Sequence, residues 1–208
     1  DVIKVEPPGG DKARRMPPFF HDDPNPEKSL FFLLMNLNKR GITLNLDTEE
    51  GANMLRRMAR EVDVIVESFP PGWLAARGLD HASLEQENPR LIMTSVTPFG
   101  QTGPYAHYQS DEIIEYAVAG MMAISGTVDR EPLKHGGFPA QYEAGMNGLL
   151  GTLVALYARD LTGVGQHVDL SIQDVVTSTL VLNQPYYAFA GGVPVSYTHL
   201  RAHETRED

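Results

Sequence analysis

The sequence predicts an α/β fold built on a largely parallel sheet, and three observations carry that prediction. Short alternating or apolar runs recur along the chain, among them "DVIKVE", "VDVIVES" and "RLIMTSVTPFG". Segments with helical spacing of apolar residues separate them. Most runs end in glycine-proline loops such as "PPGGD", "FPPGW" and "GQTGPY". Strands alternating with helices imply βαβ crossovers and hence parallel pairing. In such sheets ligands sit beyond the carboxyl ends of the strands. The loops after Glu6, Leu46, Glu67 and Val96 are therefore the expected working surfaces.

Each element has its own justification. Asp1–Glu6 alternates and reads as a strand. Residues 12–28 contain Pro17, Pro18, Pro24 and Pro26 and read as a long loop, a feature that is usually functional. "SLFFLLMN" is a short apolar helix, and "GITLNLD" alternates as a second strand. Asp47 or Thr48 caps a helix running to about Glu61, with Glu49 and Glu50 complementing its dipole and Met54, Leu55 and Met58 turned inward. "VDVIVES" has the apolar run of a buried parallel strand. Short helices follow near Leu74–Arg77 and Ala82–Asn88, then the strand in "RLIMTSVTPFG". Residues 111–120 are helical. The spacing predicts a long helix over 142–161 with Met146, Leu149, Leu150, Leu153 and Leu156 as its core stripe, ended by "TGVGQ". "HVDLS" is a strand, and a last helix capped by Ser171 runs to about Phe189.

The chain has 208 residues, 42% hydrophobic and 21% charged, enough for one substantial domain. Its formal charge of -10 disfavours nucleic acid or an anionic membrane as partner. No apolar run reaches the ~20 residues of a membrane span. The absence of cysteine excludes disulfides, thiolate metal sites and cysteine nucleophiles and fits a cytoplasmic location. Both ends read as cut: the chain opens on a strand without a start methionine, and "VSYTHLRAHET" resembles a translated sequencing adapter. Residues 1–194 are thus expected to be a partial domain and 195–208 an artefact. That disposes of the i, i+4 pair His199 and His203, and no metal site is expected.

No G-x-G-x-x-G, Walker or G-x-S-x-G pattern is present. His21, His81 and His167 read as surface or capping residues; His107 and His135 lie nearer the chemistry. The acids of "DEIIE", Asp111 to Glu115, suit a helix start or a functional role about equally. "GGFPAQYEAGMNG" precedes the long helix and joins a glycine-proline approach to polar side chains at the helix start.

Five stretches, "DVIKVEPPGGD", "NLNKRGITLNLDTEEG", "DVIVESFPPGWLAARGLD", "NPRLIMTSVTPFGQTGPY" and "ALYARDLTGVGQHVDLSIQD", together resemble the class III CoA-transferases, the CaiB/BaiF family, from Asp1 to about Phe189. The resemblance implies a Rossmann-like large domain, incomplete here at both ends, within an interlocked dimer. It implies no permanently bound cofactor, with a coenzyme A thioester and a carboxylic acid as substrates. Contacts to CoA would come from Leu44, Asn45, Leu46 and Asp47 and from Ser68, Phe69 and Pro70, with Ser68 replacing the family's usual asparagine. Gln109, Ser110, Asp111 and Glu112 would approach the pantetheine and thioester. The family's nucleophilic aspartate falls on Gln141, with Gly145 and Gly151 in register. A carboxamide cannot form the acyl anhydride that CoA transfer requires. Either Glu143 or Glu112 replaces it, or the chain is the non-catalytic, CoA-binding subunit of a heteromer. Ser110 stands where the racemase branch carries histidine, which ranks racemisation last.

Overall fold

The computed structural model describes residues 1–127 and 130–193; residues 195–208, with His199 and His203, lie outside that set. The chain divides into two compact units, Asp1–Glu61 and a second that begins at Val62.

In the first unit, β1 (Val2–Glu6) pairs in parallel with β2 (Lys39–Thr43), from Val2 opposite Lys39 to Glu6 opposite Thr43. The proline-rich connection is less irregular than expected. It holds two 3-10 turns, Lys12–Arg15 and Phe20–Asp22, before α1 (Leu30–Met35). Glu6 anchors the first turn: its carboxylate accepts from Arg14 Nε at 2.7 Å, Arg14 Nη2 at 2.9 Å and the Asp11 N–H at 2.8 Å. The Arg14 guanidinium also lies 3.9 Å from the centre of the Phe32 ring. Ser29 Oγ accepts from the Phe32 N–H at 3.2 Å, capping α1.

The second strand starts and ends earlier than its alternating sequence suggested. Its partner β1 ends at Glu6, so the ladder closes when the Leu44 N–H donates to the Glu6 carbonyl at 3.0 Å. Residues 44–47 then turn into α2 (Glu49–Ala59), capped by Thr48 Oγ1, which accepts from the Gly51 N–H at 3.2 Å. The buried face of α2 is Gly51, Ala52 and Ala59, not the methionine face, and Met54 is 43% exposed.

The second unit carries a three-stranded parallel sheet in the order β3 (Val64–Glu67), β4 (Ile92–Thr97), β5 (His167–Ser171). β4 is central and almost wholly buried. A 3-10 turn (Ala75–Arg77) and α3 (His81–Leu84) link β3 to β4. After β4 come α4 (Glu112–Val118), a 3-10 turn (Met121–Ile124) and α5 (Pro139–Thr162).

α5 begins three residues before the expected start and buries a different face. Ala140, Ala144, Gly148, Thr152, Ala155 and Arg159 point inward, while Met146, Leu149, Leu150 and Leu153 are more than half exposed. Leu156 is half-buried. The reason is close approach to the sheet. A Cβ on Gly148 would lie 3.5 Å from Val96 Cγ2, and one on Gly151 only 2.9 Å from Val168 Cγ1. Thr94 and Thr152 join hydroxyls across this contact at 2.7 Å. Large side chains cannot occupy such a gap without displacing the helix. Arg159 closes the far end through Asp63, at 2.9 Å.

The expected last helix is two: α6 (Ile172–Ser178), capped by Ser171 through the Asp174 N–H at 3.2 Å, and α7 (Asn183–Ala190). The break coincides with Thr177, Ser178 and Thr179, whose hydroxyls all donate to backbone carbonyls and compete with the helical ladder.

Candidate functional site

The loop after β2 is held by its own hydrogen bonds and packs close to its helix. Asn45 Oδ1 accepts from the Asp47 N–H at 3.1 Å, and the Asn45 carbonyl accepts from Thr48 Oγ1 at 2.8 Å. Leu44 and Leu46 are half-buried, Asn45 and Asp47 exposed. A Cβ on Gly51 would stand 1.9 Å from the Asn45 carbonyl oxygen, so only glycine allows this packing. The loop thus offers alternating apolar and polar groups on a fixed backbone.

The loop after β3 is equally built. The Phe69 N–H donates to Glu67 Oε2 at 2.7 Å. The Phe69 and Trp73 rings stack 4.1 Å apart, 7° from parallel, and the Arg77 guanidinium lies 3.5 Å over Trp73. Phe69, Trp73 and Arg77 therefore form one column, with Ser68 and Pro70 exposed beside it. Phe69 was expected here from the sequence and Trp73 and Arg77 were not, although the i, i+4 spacing of the last two was an available signal.

Below this loop lies a cavity of about 260 Å³, with Glu67, Asp80, His81, Ser95, Gln101 and His167 in its wall. His81 and His167, read from sequence as surface or capping residues, stack with ring centres 5.6 Å apart. His167 Nε2 is 2.8 Å from Ser95 Oγ, and its imidazole is held below the usual range by burial and by His81. The pairing was illegible because it depends on where α3 carries His81 and on the β4–β5 register, which sets Met93 opposite His167.

The third region surrounds the start of α5. Gln109 is exposed, Ser110 half-buried, and Asp111 caps α4 through the Ile114 N–H at 3.4 Å. Glu112 is 6% exposed. Its carboxylate accepts from the Ala140 N–H at 2.9 Å and the Gln141 N–H at 3.4 Å. Gln141 is exposed in the first turn of α5. Glu143 follows it in the same helix, so the two side chains diverge by about 200°. Glu143 is half-buried, and its Oε2 is buried without a hydrogen-bond partner. Burial and then Glu112 raise its carboxyl above the usual range, with His135 opposing.

Glu115 lies deeper, at 2% exposure, with Oε2 unpartnered. Burial, Glu112 and Asp111 push its carboxyl up to about 7. Tyr116 Oη is 2.6 Å from His135 Nδ1, and burial followed by Glu143 and Glu112 raises the phenol. Lys134 Nζ holds the approach loop by donating to the carbonyls of His135 at 2.6 Å and Gly137 at 2.7 Å. The φ of Gly137, +75°, is one a side chain would resist. Glu112, Glu143, Tyr116 and His135 thus surround the Gln141 turn. Among the described residues no group of three or more His, Asp or Glu is placed to hold a metal ion, and no helix is long and apolar enough to cross a membrane.

A family model described as CoA-transferase family III matches residues 1–206. The succinate–glutarate CoA-transferase of Agrobacterium fabrum is 37% identical over 198 residues, which is 94% of this chain and 50% of that protein. Succinyl-CoA:(R)-benzylsuccinate CoA-transferase subunit BbsE of Thauera aromatica is 37% identical over 171 residues, 82% of this chain and 42% of that one. The crystal structure of a CaiB/BaiF family protein from Brucella suis superposes with a TM-score of 0.87 at 38% identity, covering 94% of this chain and 52% of that structure. The chain spans about half the length of the curated relatives it matches.

Proposed function

The chain belongs to CoA-transferase family III, and we propose that it takes part in moving CoA between carboxylic acids by holding the acyl-CoA thioester. The loops at 44–47 and 68–70 serve the nucleotide end of CoA, and residues 109–111 approach the pantetheine. The protein works in the cytoplasm as a dimer or with a related subunit, without a permanently bound cofactor.

CoA transfer needs a carboxylate that attacks the thioester carbonyl, forms an anhydride and releases CoA as the thiolate. The thiolate then attacks the enzyme-side carbonyl of the anhydride, giving an enzyme-bound thioester and releasing the donor acid. The acceptor carboxylate displaces the thiolate to form a second anhydride, and the thiolate attacks the acceptor's carbonyl to give the new acyl-CoA and restore the carboxylate. One observation carries the reading of this chain: Gln141, exposed in the first turn of α5, ends in a carboxamide. It keeps the shape of the position without a nucleophilic oxygen. The reacting carboxylate is therefore supplied by a related subunit, while this chain presents the thioester. That one similar protein is named as a subunit supports the pairing. The competing nucleophile within this chain is Glu143, favoured by its unpartnered Oε2 and opposed by its raised carboxyl.

The test uses the full-length protein. Calorimetry with an acyl-CoA series is expected to show binding without turnover by this chain alone, and turnover once the related subunit is added. Absence of acyl-CoA binding in both conditions overturns the reading.

A further inference from the structure

The start of α5 poses a problem of hydrogen-bond satisfaction. The first N–H groups of a helix have no partner within it, and a side chain just before the helix normally accepts from the second or third helical residue. Here that preceding residue is Phe138, whose ring offers no acceptor. Pro139 fills the first position and has no N–H to satisfy. The needy groups are the N–H of Ala140 and Gln141, and Ala140 is fully buried.

Both are met from far along the chain. Glu112 opens α4, 28 residues before Ala140, and its Oε1 accepts from the Ala140 N–H at 2.9 Å. Its Oε2 lies 3.4 Å from the Gln141 nitrogen. We infer that Glu112 is a positioning residue, a long-range cap that closes the N-terminus of α5 and fixes the turn from which Gln141 projects. Its oxygens are engaged by backbone donors and do not attack the thioester. The carboxylate also cancels the positive end of the helix dipole. A free carboxylic acid therefore finds no anion site on the N–H groups of Ala140 and Gln141, although an uncapped helix start would offer one. The consequence for CoA chemistry rests on the function proposed above; the capping stands on its own geometry.

Exchange of the Ala140 and Gln141 amides in the full-length protein tests this, with acetate as the probe. In Glu112→Ala both amides are expected to exchange about tenfold faster, while those of β4 are unchanged. Acetate is expected to enter the vacated space and restore protection in Glu112→Ala, with no effect on the parent protein. Acyl-CoA affinity should fall about tenfold in the variant and recover with acetate. General loosening of the fold would not be reversed by a small carboxylate. Should Glu112→Ala fail to fold, Glu112→Gln supplies the same readout. Its carboxamide keeps one acceptor, so Ala140 stays protected and Gln141 does not. Unchanged exchange at both amides in a folded variant, or an acyl adduct on Glu112, overturns the inference. A parent protein that binds no acyl-CoA sinks the functional reading and leaves the exchange result to stand alone.

Discussion

Two buried carboxylates carry opposite pH signatures. Glu115 has its carboxyl raised from 4.5 to about 7, first by burial and then by Glu112 and Asp111. Between those values the folded chain keeps a proton that the unfolded chain releases. Stability therefore falls as pH rises through this window, by on the order of 3 kcal/mol. Glu115→Gln should abolish that fall and be the more stable protein at pH 8, as denaturant titrations across pH 4–8 can check. Glu6 behaves in the opposite sense. The Arg14 hydrogen bond holds its carboxyl down from 4.5 to about 2, so its contribution is present above pH 4.5 and lost as pH falls towards 2. Glu6→Gln should cost about 2 kcal/mol at pH 7, because Arg14 loses its main partner while keeping Glu27 at 2.9 Å. By resemblance alone, with the glycines at 145 and 151 in register, Gln141 is the candidate for the family's aspartate position. The surroundings of that position were not legible, since Glu112 reaches it only once α4 and α5 pack together.

The helix α5 shows how a correct element can carry a wrong face. Its large apolar residues fit a helical stripe, but the stripe turned to the sheet is Ala140, Ala144, Gly148, Thr152 and Ala155. Counting hydrophobic residues favours the bulky face; close packing on a sheet favours the small one. Ala144 is 1% exposed, and Ala144→Leu should cost about 2 kcal/mol by overpacking, read as a lower melting temperature. The strands were legible from alternation and apolar runs. The limits of β2 were not, because they are set by where β1 ends. At the start of α2, Gly51→Ala would push a methyl into the Asn45 carbonyl. It should cost about 2 kcal/mol and weaken acyl-CoA binding by displacing residues 44–47. Calorimetry on the full-length variant separates the two effects, since a global loss of stability alone leaves the affinity of the folded fraction unchanged.

Each compact unit has its own strand-end loop, after β2 in one and after β3 in the other, and both loops were legible from the α/β order of the chain. The histidine-lined cavity of the second unit was not named, because His81 on α3 and His167 on β5 meet only once that helix and that strand are both in place. If the full-length protein holds acyl-CoA, saturation at about 100 times the dissociation constant should stabilise it by about 2.7 kcal/mol, visible as a rise in melting temperature that free carboxylic acids do not produce. On the function proposed above, the side chain at Gln141 is what distinguishes this chain from a self-sufficient transferase. The decisive measurement is the intact mass of the full-length protein after incubation with acyl-CoA and quenching with hydroxylamine. The parent chain is expected to bind acyl-CoA and remain unmodified, whereas Gln141→Asp acquires a hydroxamate at residue 141. A hydroxamate on the parent chain, mapped to Glu143 or any other carboxylate, would contradict the assignment and make this chain its own nucleophile.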